Sequence, residues 1–97
     1  MRSPLPHDSD PLTGRVLYIE DAAVNAALMG AMMEAYPQIE LLHAATGRDG
    51  VRMVRESRPD FVILDMNLPD ISGLEVVREL SEDIAARVLC ISSRVAR

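Results

Sequence analysis

Three carboxylates stand where apolar runs end, and they are the residues of this chain best placed to do chemistry. Glu20 and Asp21 follow Val16, Leu17, Tyr18 and Ile19, while Asp65 follows Phe61, Val62, Ile63 and Leu64. A short apolar run that stops abruptly at a charge has the form of a strand buried on both faces and ending at a polar rim. In an open parallel sheet, ligands gather beyond the carboxyl ends of the strands. With the first and third strands adjacent, the three acids would share one crevice, where at ~5 Å each like-charged pair repels by roughly 3 kcal/mol at an effective dielectric of about 20. Such a cluster calls for a cation, and an all-oxygen donor set favours Mg²⁺ or Mn²⁺. Taken singly, each acid is also at home as a polar residue opening a loop, so only the conjunction points to a metal. Asp21, Ala22 and Ala23 stand where a phosphate or dinucleotide cradle would have a glycine-rich turn, which argues against dinucleotide and flavin binding.

The elements that must position these acids alternate. After the first strand, Val24, Ala27, Leu28, Ala31, Met32 and Ala35 recur at three- and four-residue steps, marking a helix that Pro37 closes. Ile39 to Ala44 reads as a second strand, and Thr46 followed by Asp49 resembles a capping box for a helix carrying Val51 and Val54. Asp65 ends the third strand; a loop with Pro69 and Gly73 leads to a helix with Leu74, Val77 and Leu80 on one face, and Val88 to Ile91 makes a fourth strand before Ser92 and Ser93. Strands and helices alternating at this length imply a parallel sheet with right-handed crossovers and helices on both faces.

At 97 residues there is room for one core, so a multidomain enzyme is excluded. Apolar residues are 48% and charged residues 26% of the chain, the balance of a globular protein. Ten basic residues, all arginine, face fifteen acidic ones for a net charge of −5, which argues against a protein that coats nucleic acid. Residues 1–14 are rich in Pro, Ser and Asp and read as a flexible leader, with the domain running over 15–97. No run reaches a membrane span and the start lacks the apolar core of a signal peptide, so a cytoplasmic location is expected. Cys90, alone in an apolar run, reads as a small buried thiol; Met29, Met32 and Met33 read as core filler; and His43 has no second ligand at metal spacing. Arg48, Arg52 and Arg55 fall at helical spacing and mark a solvated face.

The segments VLYIED, FVILDMNLPDISG and VLCISS, in that order, together resemble the receiver domain of bacterial two-component response regulators, a likeness that runs from Arg15 to Ser93. It implies an α/β, flavodoxin-like doubly wound parallel sheet and a phosphoacceptor rather than a turnover enzyme. By that likeness Asp65 accepts a phosphoryl group from a sensor histidine kinase or phosphotransfer protein. Glu20, Asp21, Asp65 and the backbone carbonyl of Asn67 hold Mg²⁺, and Ser92 supplies the hydroxyl that turns toward the phosphoryl group. Pro69 and Gly73 match the loop after the acceptor.

Receivers of this kind continue past the Ser-bearing strand with a helix, a fifth strand ending in a lysine and a closing helix, whereas this sequence ends at Arg97 and contains no lysine. An incomplete sheet is therefore expected, with four strands, an open edge at the fourth and one face partly bare. A homodimer covering that face is a candidate assembly. Arg94 lies just past the fourth strand, but guanidinium is not interchangeable with ammonium. Two rival readings follow: a receiver-like module that binds partners without phosphorylation, and a small Mg²⁺-dependent aspartyl phosphatase. The second is disfavoured because Asn67 stands where such enzymes carry a general acid.

Overall fold

A computed structural model describes residues 13–80 and 87–91. The elements run β1 (Gly14–Ile19), α1 (Ala23–Met33), β2 (Ile39–Ala44), α2 (Gly47–Ser57), β3 (Phe61–Asp65), α3 (Gly73–Leu80) and β4 (Arg87–Ile91). All strand pairs are parallel and the order is β2-β1-β3-β4, so the direction of winding reverses at β1 and opens a crevice between β1 and β3. This is the doubly wound sheet expected. β1 opens at Gly14, two residues before the apolar run that marks it in the sequence, with a positive φ of 142° that suits glycine. The leader through residue 12, together with Ser92, Ser93 and Arg94, lies outside the described residues, as does the side chain of Cys90.

The two sheet faces differ. Leu17, Ile19, Val62 and Leu64, all at 0% exposure, point to the side of α2 and α3 and meet Val54, Val76 and Leu80 there. Each such side chain contributes about 1.5–3 kcal/mol by leaving water. α2 sits so close to β1 that a Cβ on Gly50 would lie 2.4 Å from Ile19 Cδ1. Its amino end carries the Thr46 cap, whose Oγ1 accepts from Asp49 N at 3.1 Å. Its carboxyl end stops at Arg58, left-handed at φ 51°, just before Pro59. The arginine face is solvated as expected: Arg52 pairs with Glu56 at 3.0 Å and Arg55 reaches Glu79 at 3.8 Å.

On the opposite face α1 departs from the reading of the sequence. The stripe that marks it as a helix points outward, with Val24, Leu28 and Met32 exposed by 67%, 59% and 63%. The sheet instead receives Ala22, Ala26, Met29 and Met33, all half-buried, so Met32 is not core filler. The reason is composition: Ala23–Met33 is apolar nearly all round, so two stripes satisfy the same periodicity and only packing chooses between them. Phe61 and Ile63, which alternate with Val62 and Leu64 and so face the α1 side of the sheet, are only half-buried, the partial cover expected for one face of β3. Among the described residues, no helix is long and apolar enough to cross a membrane.

Candidate acidic site

Parallel register brings the acids together. Ile19 pairs with Leu64, so Glu20 and Asp65 follow side by side at the rim, and Asp65 itself pairs with Ile91. The backbone continues the ladder past both strands, with Glu20 N donating to Ala44 O and Met66 N to Ile91 O, each at 2.9 Å. One carboxylate oxygen from each of Glu20, Asp21 and Asp65 lies within 4.8 Å of the others. Glu20 is 0% and Asp65 1% exposed, while Asp21 faces solvent. Two buried acids beside a third are electrostatically costly without a counter-charge, and an all-carboxylate set open to water on one side suits Mg²⁺ or Mn²⁺.

Each buried acid is held in a defined pose. Glu20 Oε1 accepts from the Tyr18 hydroxyl and Oε2 from Ala22 N, both at 3.0 Å. Its carbonyl accepts from His43 Nε2 at 2.7 Å, which requires the imidazole proton on Nε2. Asp65 Oδ1 accepts from Asn67 N at 3.0 Å, closing a short turn at the start of the loop. Burial pushes the Tyr18 hydroxyl up to about 12, with the hydrogen bond to Glu20 and the charges of Glu20 and Asp65 acting in the same direction. Tyr18 therefore stays protonated and donates.

Of the residues singled out in the sequence, Glu20, Asp21 and Asp65 converge, and Asn67 borders them through its backbone. Ser92 lies outside the described residues. His43 is no metal ligand candidate but braces the Glu20 backbone. Two residues were missed. Tyr18 read as one more apolar strand residue, although its i, i+2 relation to Glu20 puts both on one face of the strand. Asp70 read as loop; its carboxylate oxygens accept from Gly47 N and Arg48 N, each at 2.9 Å, a partnership across 23 and 22 residues that no local pattern announces.

Comparison with known proteins agrees with this geometry. The family described as "Response regulator receiver domain" matches residues 16–96. A protein-glutamate methylesterase/protein-glutamine glutaminase from Geobacter sulfurreducens is 35% identical over 81 residues, covering 82% of this chain and 22% of that protein. Protein PilH from Pseudomonas aeruginosa is 32% identical over 69 residues, 71% of this chain and 56% of its own length. The chain thus spans about a fifth of the first relative and little more than half of the second. Among solved structures, the signal receiver domain of a LuxO repressor protein from Vibrio parahaemolyticus superposes with a TM-score of 0.79 at 31% identity, over 88% of this chain and 65% of that one. The receiver domain of a Pseudomonas aeruginosa sensor histidine kinase, solved with magnesium in its active-site cleft, shares the fold at a TM-score of 0.77 and 22% identity, over 86% of this chain and 70% of that one.

Proposed function

The chain belongs to the response regulator receiver domain family, and from that premise we propose that it takes a phosphoryl group onto Asp65, with Glu20, Asp21, Asp65 and the Asn67 backbone carbonyl holding the divalent ion that the transfer needs. The single observation behind this reading is the meeting of three carboxylates within 4.8 Å at the switch point of the sheet, two of them buried. When bound, Mg²⁺ supplies positive charge to the attacking carboxylate and to the oxygens of the transferring group.

The chain's own residues do the rest. A carboxylate oxygen of Asp65 forms the bond to phosphorus as the bond from phosphorus to the donor's imidazole nitrogen breaks. The electron pair leaves with the imidazole, which takes up a proton, and the product on the chain is an acyl phosphate. Asn67 N fixes the rotation of the Asp65 carboxylate, and Tyr18 with Ala22 N fixes that of Glu20. A histidine kinase or phosphotransfer protein is the proposed donor. Ser92, next in sequence after the register partner of Asp65, is the proposed hydroxyl that answers the added charge with a charge-assisted hydrogen bond.

The outward stripe of Val24, Leu28 and Met32 keeps a second reading in play, a module that binds a partner, including a second copy of itself, without phosphorylation. Intact-mass measurement after incubation with a small phosphodonor and Mg²⁺, beside size-exclusion chromatography, separates the two. The phosphoacceptor reading expects one added phosphoryl group that does not form when Mg²⁺ is chelated beforehand and is absent in Asp65→Asn. Labelling that survives Asp65→Asn refutes it, and an unlabelled dimer favours the second reading.

A further inference from the structure

We propose that Asp70 is a positioning residue for the acidic site, tying the loop that leaves Asp65 to the first turn of α2 and so setting where the Asp65 carboxylate and the Asn67 peptide lie. The role assigned to Asp65 rests on the phosphoacceptor reading; the clamp itself rests on geometry. Both oxygens of Asp70 are committed across the molecule, Oδ1 to Gly47 N and Oδ2 to Arg48 N, each at 2.9 Å. Thr46 Oγ1 takes Asp49 N at 3.1 Å, so these two side chains between them satisfy the amides of the first three residues of α2, which have no partner within the helix.

The loop is tight at both ends of this tie. A Cβ on Gly47 would fall 2.6 Å from Ile71 Cγ1, so the loop rests directly on the amino end of α2. A Cβ on Gly73 would fall 2.8 Å from the backbone Cα of Met66, so the loop also folds back on its own start. Between these contacts Leu68 and Ile71 pack against the core, and Ser72 Oγ caps α3 by accepting from Glu75 N at 3.1 Å. Asp70 is the polar tie in this closed path. Because the same loop opens with the bond from Asn67 N to Asp65 Oδ1, movement at Asp70 is passed along five residues to the acceptor carboxylate.

Asp70→Ala and Thr46→Ala separate positioning from mere stability. Both strip acceptors from the start of α2 and lower the melting temperature, but only the first releases the loop. In the metal-free full chain, hydrogen exchange at the Asn67 amide, followed by NMR, is expected to accelerate in Asp70→Ala and to hold its native rate in Thr46→Ala once global unfolding is accounted for. The Mg²⁺ concentration giving half-maximal binding is expected to rise roughly tenfold in Asp70→Ala, as for residues that orient metal ligands, and to stay put in Thr46→Ala. Asp70→Asn, with one acceptor oxygen in place of two, should fall between and covers the case in which the alanine variant does not fold. Exchange at Asn67 that is unchanged in Asp70→Ala and Asp70→Asn, or raised equally by Thr46→Ala, overturns the clamp. Failure of the wild-type chain to bind Mg²⁺ or accept phosphate would instead remove the phosphoacceptor reading, while the exchange comparison would still decide the clamp.

Discussion

Asp65→Asn should make the metal-free chain more stable and deprive it of its response to magnesium. Asp65 and Glu20 are buried neighbours whose ligand oxygens lie within 4.8 Å, and two carboxylates at that separation repel by roughly 3 kcal/mol at an effective dielectric of about 20. The amide is nearly isosteric and its oxygen can still accept from Asn67 N, but that bond loses its charge assistance, a loss of about 1 kcal/mol. The difference is a net gain of about 2 kcal/mol, which for a chain of this size raises the midpoint of thermal unfolding by roughly 8–16 °C. In the wild-type chain, Mg²⁺ at one hundred times its dissociation constant should contribute about 2.7 kcal/mol of stability, and Asp65→Asn should lose most of that increment. The assay is a pair of thermal melts, with EDTA and with Mg²⁺, on both proteins. A variant that melts lower than wild type in EDTA, or that keeps the full magnesium increment, would show that the three acids do not act as one charged pocket.

Three further outcomes follow from individual contacts. Tyr18→Phe removes a donor from buried Glu20, so stability should drop by about 1–3 kcal/mol and magnesium affinity should weaken; urea melts and a metal titration check both. Gly50→Ala would thrust a methyl to 2.4 Å from Ile19 Cδ1, and the overpacking should cost about 1–3 kcal/mol in chemical denaturation without altering the acids themselves. Asp70 should impose a pH dependence: partial burial raises its carboxyl, but the amides of Arg48, Gly47, Ile71 and its own residue outweigh this and hold it below the ordinary carboxylate range. Its stabilisation is therefore complete above the unfolded value of about 3.9 and is lost as pH falls through the lower folded value, so wild type and Asp70→Asn should converge in stability at strongly acidic pH and diverge toward neutrality.

What the sequence reveals here depends on how far the physical signal extends. Strands buried on two faces announce themselves as apolar runs, and the charge that ends each run marks the rim, so the convergence of Glu20, Asp21 and Asp65 is legible wherever β1 and β3 are neighbours. The Thr46 cap is equally local. By contrast, the seating of α1 was illegible because both of its stripes are apolar, and the packing that selects Met29 over Met32 belongs to the assembled sheet. The Tyr18 hydroxyl was hidden by the residue's double character, apolar ring and polar tip. Asp70 could not be assigned because its partners are backbone amides, which every residue but proline possesses and no sequence distinguishes.

Being greasy all round, α1 lacks the polarity compass that tells most surface helices which way is up: water alone scarcely penalises rolling it about its own axis. Shape selects the inward side, and at the amino end the directional anchor is the bond from Ala22 N to Glu20 Oε2. A roll of the helix would tug on that anchor and turn Asp21, so the helix's orientation and the acids' arrangement are mechanically geared. Glutamate at positions 28 and 32 would supply the missing compass, giving a handle for stiffening the pocket from outside without replacing any residue that lines it.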